Sequence, residues 1–442
     1  MKTVILGLGA GGLFTGITLR KLDREREILF IDPKSFDLLH PCGLPYVIEG
    51  KIESFEKVKH NLPDMGFAKM LEHEAVSVNL EDKTVQAKDL KSQELKSIGY
   101  DELVIATGSR AAIPPIEGAE KLLGRGVFTV DSYDSSFALE EACERSKKAV
   151  VLGAGAIGLE SANALRTRGL EVTVVEMLPN ALAKSLDPDM SRLVEDHLKE
   201  KGIGLRFEQK VERITGEDRV EGAVVDGETV EADMVVLAAG VRPNTGFLQD
   251  SGIDMGKWGI LTDERMQTNV PDVYAVGDCV QVKSLIDGRD WMMQLAVAAY
   301  KQGMVAAYNI AGKSRTYDGA LSTFASRIGD IEAAATGFNS HSAGDDIVIG
   351  KATDFTKPEW CGIGQSITVK LIFEKSSGKL LGAQTAGLEG AAERVNIAST
   401  AIQAGMDAEK LSKVELCYCP QVSQTYDVLM QAADNALRKM GR

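Results

Sequence analysis

The stretch TVILGLGAGGLFTGITLRKL, Thr3 to Leu22, decides the fold. It opens on a short apolar run, Val4 to Leu6, turns through Gly7, Gly9 and Gly12, and continues with apolar residues at helical spacing. Strand, glycine turn and helix in that order form a dinucleotide fingerprint. The first glycine permits the tight turn, the second lets backbone approach a pyrophosphate, and the third lets helix pack on strand. The start of the helix offers unpaired N–H groups and a partial positive charge to the phosphates. A second apolar strand, EILFID, ends on Asp32, roughly 20 residues downstream, where a carboxylate meets a ribose hydroxyl.

The device recurs at KKAVVLGAGAIGLESANAL, with Gly153, Gly155 and Gly158, followed by LEVTVVEM ending in Glu176. One such glycine pattern is a weak signal, because glycine turns occur for many reasons; two copies, each with strand, helix and terminal acid, form an internal repeat. Glu176 accepts hydrogen bonds from a free ribose 2′-OH and repels a 2′-phosphate, and no arginine follows it in MLPNAL. The second copy is therefore expected to prefer NADH, with NADPH left open. Two later strands end alike, YDELVIATGS at Ala106, Thr107 and Gly108, and ADMVVLAAGVRPNT at Ala239 and Gly240. VPDVYAVGDC delivers Asp278 immediately after Gly277. A carboxylate there can reach a polyol, although taken alone it reads first as an Asx-turn or helix N-cap.

A chain of 442 residues exceeds the roughly 250–300 at which one core stops growing, so two or three domains are expected. A hydrophobic content of 44% and a charged content of 26% are ordinary for a globular protein. No run approaches the roughly 18 apolar residues that a membrane span requires. The formal net charge of −14 repels phosphate backbones and anionic lipid, which argues against nucleic acid and membrane as partners. The amino terminus, MKTVILGLGAGG, goes straight into a strand and glycines, and shows no export signal. Six cysteines, Cys42, Cys143, Cys279, Cys361, Cys417 and Cys419, are thinly spread. That usage suits reduced thiols, and the expected location is cytoplasmic.

Together GLGAGG, Asp32, ATG, GAGAIG, Glu176, AAGVRPN and YAVGDC resemble the pyridine nucleotide-disulfide oxidoreductases, FAD proteins whose NAD domain is inserted within the FAD domain. The resemblance implies an α/β chain of two Rossmann-like dinucleotide-binding domains plus an α+β carboxy-terminal dimerisation domain. The corresponding boundaries are 1–114 and 246–316 for FAD, 115–245 for NAD and 317–442 for the dimer interface. FAD is then expected on Gly7, Gly9, Gly12, Asp32, Thr107, Gly108 and Asp278, and NADH on Gly153, Gly155, Gly158 and Glu176. Further cofactor contacts are implied at Gly11, Pro41, Ala75, Ala106, Leu295, Ala296, Ile157, Glu160 and Gly240, in a homodimer.

HPCGLPYVIEG, His40 to Gly50, places one thiol between two prolines. Two-cysteine members of the family carry C-x-x-x-x-C here, but the second position is Val47, and their carboxy-terminal His-Pro motif is missing too. The segment instead resembles the single-cysteine branch, the coenzyme A disulfide reductases and NAD(P)H persulfide and polysulfide reductases. That resemblance implies NADH-dependent reduction of sulfur–sulfur bonds in coenzyme A disulfide, coenzyme A persulfide or polysulfide. Cys42 would form a mixed disulfide with the small thiol or persulfide substrate, and coenzyme A is left open as a ligand. ELCYCPQVSQTYDVL resembles the segment that brings a tyrosine, here Tyr418, to the partner's active cysteine. Thiolate is the nucleophile and an ordinary thiol has a pKa of about 8.5; in the fold this segment resembles the cysteine sits at a helix N-terminus, which implies that the Cys42 anion is favoured. Tyr418 of the partner subunit, or Tyr46, could protonate the leaving sulfur, whereas His40 reads first as a loop residue.

Coenzyme A phosphates need cations. Arg20 and Lys21 in LRKLD, and Lys57, Lys59 and His60 in FEKVKH, could supply them, against the alternative of a solvated face. Trp360 in KPEWCGIG stands where coenzyme A-type reductases show a second tyrosine. Cys417 and Cys419 flank Tyr418 and read first as packing residues, then as a redox pair. A metal site there lacks a second ligand pair, and no metal is expected. Ala156 stands where relatives place a tyrosine that shields the flavin, and Gly9-Ala10-Gly11 lacks the histidine of single-cysteine NADH oxidases and peroxidases. Two other readings stay open: an NADH oxidase or peroxidase, and a flavoprotein that passes electrons to a protein carrier without a small sulfur substrate.

Overall fold

Lys2–Leu6 is the middle strand of a five-stranded parallel sheet, and its buried run VIL reads as continuous because both faces are covered. A computed structural model describes residues 1–442, and the chain divides into two compact units. The first gathers Met1–Pro41, Ser54–Arg110 and Val241–Ala320. Its sheet runs Val273–Ala275, Glu102–Ile105, Lys2–Leu6, Glu27–Asp32, Ala68–Leu71, all neighbours parallel. The helix Ala10–Leu22 packs against the helix Ala296–Ile310. Only a glycine allows the approach, since a Cβ on Gly303 would lie 2.3 Å from the Gly11 carbonyl oxygen. A three-stranded antiparallel sheet, His73–Asn79, Thr84–Asp89 and Leu95–Gly99, is appended.

The second unit gathers Cys42–Glu53, Ala111–Gly240 and Leu321–Arg442. Its parallel sheet runs Val127–Thr129, Met234–Leu237, Lys148–Leu152, Glu171–Val175, Gly204–Arg206. In both sheets the strand feeding the glycine turn is central. One neighbour ends in the acid and the other ends in the Ala-Thr-Gly or Ala-Ala-Gly turn. The internal repeat in the sequence is thus a repeat of topology, and this copy too carries a three-stranded antiparallel sheet, Val211–Thr215, Gly222–Val225 and Glu228–Glu231.

The same unit holds a five-stranded antiparallel sheet in the order Phe324–Ile328, Ile331–Gly337, Leu380–Gly387, Ser366–Glu374, Ile347–Phe355. Helices Ala391–Gln403 and Val428–Met440 pack on it through small residues, and a Cβ on Gly350 would lie 1.9 Å from the Ala432 carbonyl oxygen. A buried ion pair, Arg394 Nη2 to Asp427 Oδ2 at 2.6 Å, joins the first of these helices to the N-cap of the second. The architecture is the expected α/β one, two parallel Rossmann-like sheets with an antiparallel carboxy-terminal domain. No helix is long and apolar enough to cross a membrane.

Pro41–Gly43 is a single 3-10 turn that runs directly into the helix Leu44–Glu49. Leu44, Val47 and Ile48 bury one face of that helix, which packs on the helix Ala156–Thr167. Arg168 Nε donates to the Ile48 carbonyl at 2.6 Å and Asn163 Nδ2 to Glu49 Oε1 at 2.8 Å, which ties down the helix's last turn. Gly50 ends it in a left-handed conformation, φ 86°.

Candidate functional site

The two glycine turns agree almost atom for atom. Gly7 and Gly153 have φ of 105° and 107°, and a Cβ would lie 2.2 Å from the Ala106 oxygen in one and 2.4 Å from the Ala238 oxygen in the other. Gly12 and Gly158 pack so closely on the strand that a Cβ would lie 2.0 Å from the carbonyl oxygens of Gly7 and Gly153. At Gly9 and Gly155 a Cβ would meet nothing within 4 Å. The middle glycines therefore face open space at a helix N-terminus, the cradle that a pyrophosphate needs. Gly11 differs: it is buried, and its backbone serves the packing of Gly303.

The terminal acids close each turn in the same way. Asp32 Oδ2 accepts from Leu8 N at 2.6 Å, and Glu176 Oε2 accepts from Ala154 N at 2.8 Å. Asp32 also accepts from Lys34 N at 2.9 Å, and Lys34 Nζ lies 2.6 Å from each of its oxygens. A carboxylate has about four lone-pair sites, so Asp32 is nearly saturated. Glu176 takes only the N–H groups of Ala154 and Leu178 and keeps capacity for a ribose diol. The sequence reading missed Lys34, although it stands two residues past the acid.

The other residues expected on the flavin side are spread over strand ends, a helix start and a turn. Thr107 Oγ1 donates to the Asn244 carbonyl at 2.7 Å, and Asn244 Nδ2 donates back to the Thr107 carbonyl at 3.1 Å. Asp278 is neither an Asx-turn nor a cap: its carboxylate accepts from Ser109 Oγ at 2.9 Å. Burial pushes that carboxyl above the usual carboxylate range, and the Ser109 hydrogen bond works against the shift. Ser109, another residue missed, follows the Ala-Thr-Gly turn directly. Gly277 N donates to Oε1 of the fully buried Gln302 at 2.7 Å. Leu295 precedes the helix Ala296–Ile310, whose first residues Ala296 and Val297 are exposed apolar groups at an open N-terminus. Ala75 sits on the strand His73–Asn79, and Pro41 is exposed.

On the second sheet Gly155, Ile157 and Gly240 are exposed beyond the carboxyl ends of the strands, where ligands of open α/β sheets bind. Glu160 points elsewhere. Its Oε1 accepts from Ser326 Oγ at 2.7 Å and from Tyr46 OH at 3.3 Å. Burial pushes the Glu160 carboxyl up, while both donors pull it back. Tyr46 OH also lies 3.1 Å from the Arg327 carbonyl. Burial first, then the Glu160 charge, raise its phenol well above the ordinary value. The Tyr46 hydroxyl, one of the two expected proton sources for a leaving sulfur, is thus engaged by Glu160 and the Arg327 carbonyl.

Among the thiols, Cys143 and Cys279 are buried and burial pushes each up to about 11, so they hold little thiolate at neutral pH. Cys42 is exposed at the start of its turn and helix, whereas Val47 in the second position is buried. Cys417 and Cys419 are exposed on this chain with Tyr418 between them. Trp360 is 76% exposed. The basic residues lie on separate elements. Arg20 donates to the carbonyls of Arg24, Arg26 and Gly66 at 2.7, 2.8 and 2.7 Å, closing the end of its helix, and Lys21 beside it is exposed. Lys59 Nζ bonds Glu56 at 3.0 Å, the His60 ring lies 4.9 Å from that of His40, and Lys57 is exposed.

Two nucleotide cradles of the same construction in one chain, each closed by an acid, define a two-dinucleotide oxidoreductase. The family model for pyridine nucleotide-disulphide oxidoreductases matches residues 1–303, and that for the family's dimerisation domain matches residues 327–429. The chain belongs to the pyridine nucleotide-disulphide oxidoreductase family, as a NAD(P)H-dependent flavin oxidoreductase. FAD and pyridine nucleotide binding are typical of this family. An NADH oxidase of Methanocaldococcus jannaschii is 39% identical, covering 100% of this chain and 99% of its own. A CoA-dependent NAD(P)H sulfur oxidoreductase of Pyrococcus furiosus is 34% identical over 98% of each chain. The solved structure of a NAD-dependent persulfide reductase from A. fulgidus matches with a TM-score of 0.96 and 34% identity, covering 100% of this chain and 84% of that one.

Proposed function

We propose that this protein reduces sulfur–sulfur bonds of low-molecular-weight substrates with electrons from NADH, through Cys42. The observation that carries the reading is an exposed thiol at position 42 with a buried valine in the position of a second one. With no second thiol at that place, the substrate must bring the other sulfur. Bound FAD supplies a two-electron relay between the nicotinamide and that sulfur. Gly7, Gly9, Gly12 and Asp278 would hold it, and Gly153, Gly155, Gly158 and Glu176 would hold NADH.

Cys42 thiolate attacks the outer sulfur of a disulfide, persulfide or polysulfide; the sulfur–sulfur bond breaks and a thiolate or a shortened polysulfide leaves. The mixed disulfide or persulfide on Cys42 then takes up two electrons, its bond breaks, and the second sulfur leaves as thiolate or sulfide while Cys42 thiolate re-forms. Tyr418 of the partner subunit is the proton source in this reading, because Tyr46 is already committed to Arg327 and Glu160. Coenzyme A disulfide, coenzyme A persulfide and polysulfide are the candidate substrates. Anaerobic NADH oxidation with each, in wild type and in Cys42→Ser, tests the proposal. The variant should retain reduction of its flavin by NADH yet lose turnover with the preferred sulfur substrate by on the order of 10³-fold. Undiminished turnover would refute it.

A second reading, NADH oxidase, is favoured by the name of the M. jannaschii relative. Oxygen consumption that matches NADH loss and survives in Cys42→Ser would establish it. The residues of the first glycine loop speak against it, since Gly9-Ala10-Gly11 offers no group to handle peroxide.

A further inference from the structure

We propose that Cys417 and Cys419 form a second thiol–disulfide site, a dithiol that closes to an intramolecular disulfide on exchange with low-molecular-weight disulfides. Both side chains are exposed, and the residues from 414 to 419 belong to no helix or strand. One side chain organises them: Ser423 Oγ accepts from Cys419 N at 3.3 Å and donates to the Cys417 carbonyl at 2.8 Å. The carbonyl of the first residue and the N–H of the third are the groups that an inverse γ-turn joins directly. A hydroxyl set between them ties the two ends of the Cys417–Cys419 tripeptide to one side chain.

Spacing decides reach. Two extended residues span about 7 Å, at the edge of the roughly 4.4–6.8 Å between Cα atoms that a disulfide bridges, so a small rotation within the tripeptide is enough to close the bond. Cys419 is held in place from the far side, its carbonyl accepting from Val422 N at 2.7 Å and Ser423 N at 2.8 Å. Cys417 lies on the irregular approach and can turn towards it without opening any helix or strand.

The chemistry is two successive exchanges. One thiolate attacks a disulfide RSSR, whose bond breaks, and RS⁻ leaves with the electron pair. The second thiol loses its proton to water and attacks the protein sulfur of the mixed disulfide, and a second RS⁻ leaves. The protein dithiol is oxidised by two electrons and RSSR is reduced to two thiols; excess RSH runs the sequence backwards. Tyr418 is the residue enclosed by the ring, so closure fixes its backbone. That consequence matters only if Tyr418 has the role proposed above; the disulfide does not depend on it.

The test uses the full chain carrying Cys42→Ser, so that the outcome is separate from the fate of the Cys42 reading, with wild type run in parallel. Protein is equilibrated with mixtures of oxidised and reduced glutathione, quenched with an alkylating agent and digested with trypsin, and the peptide 414–438 is weighed. It should become lighter by two hydrogen atoms and unlabelled as the mixture becomes more oxidising, in both proteins. Cys417→Ser and Cys419→Ser should each carry one glutathione adduct instead. A peptide alkylated twice in every mixture, a stable adduct on the unsubstituted pair, or a cross-link to Cys361 would overturn the proposal.

Discussion

Glu160 is a carboxyl that the fold holds partly out of water, and its titration gives a direct check. Burial raises its native pKa above that of the unfolded chain, where a glutamate titrates at about 4.3. Between those two values the native state binds the proton more tightly, so wild-type stability falls as pH rises through that window. Glu160→Gln cannot ionise, and its amide oxygen can still accept from Ser326 and Tyr46. Urea midpoints of the two proteins should therefore diverge with rising pH, wild type losing ground to the variant; a constant difference would place the Glu160 carboxyl at its ordinary value. Asp278 shares the direction of shift but has a different partner, Ser109. Asp278→Leu keeps the volume and removes the only carboxylate beside Gly277, so it should purify with a lower ratio of flavin to protein than wild type, read from visible absorbance.

Each nucleotide turn contains three glycines that the chain needs for different reasons, and substitution separates them. A methyl on Gly158 would lie 2.0 Å from the Gly153 oxygen, and no flexible side chain is there to yield. Gly158→Ala should therefore lower the melting temperature by pushing the helix Ala156–Thr167 off its strand. A methyl on Gly155 meets no protein atom, so Gly155→Ala should melt like wild type yet raise KM for NADH by about tenfold or more, the result of lost backbone approach to phosphate. Equal melting losses in the two variants would contradict this division. The same contrast explains what was legible in sequence. Glycine spacing and strand-end acids are forced by the backbone within some 30 residues of chain, and both cradles, their sheets and the α/β class could be read from them. Side-chain partners could not. Ser109 meets Asp278 across 169 positions, and Tyr46 meets Glu160 across 114. The fold alone brings such pairs together, which is why Tyr46 read as a proton donor before its hydroxyl was seen to be engaged. Cys417 and Cys419 are hard to place for a related reason: the segment has no periodicity, and burial of irregular chain leaves no local pattern.

Trp360, Ile363, Tyr418 and Val422 are apolar or aromatic side chains exposed on the carboxy-terminal domain, and Gln424 Nε2 bonds the Lys357 carbonyl at 3.1 Å, tying the two loops that carry them. Aromatic residues are enriched where proteins associate, and this region falls within the match to a dimerisation domain. A two-fold dimer uses the same surface on both subunits, so a tyrosine that serves the partner's cysteine would do so twice, once in each direction. That arrangement has a signature no single-chain site can produce. In a heterodimer of Cys42→Ser and Tyr418→Phe chains, one site pairs an intact Cys42 with an intact Tyr418 of the partner subunit, while the other site has lost both. Equal amounts of the two variants, unfolded and refolded together, give half heterodimers with one good site in two, so the mixture should recover about a quarter of wild-type activity. If Tyr418 instead works on its own subunit's Cys42, every site in the mixture carries one defect and activity stays at the mean of the parents. Sulfur-substrate turnover measured before and after mixing decides between them. Full activity of Tyr418→Phe alone would remove the tyrosine from the reaction altogether.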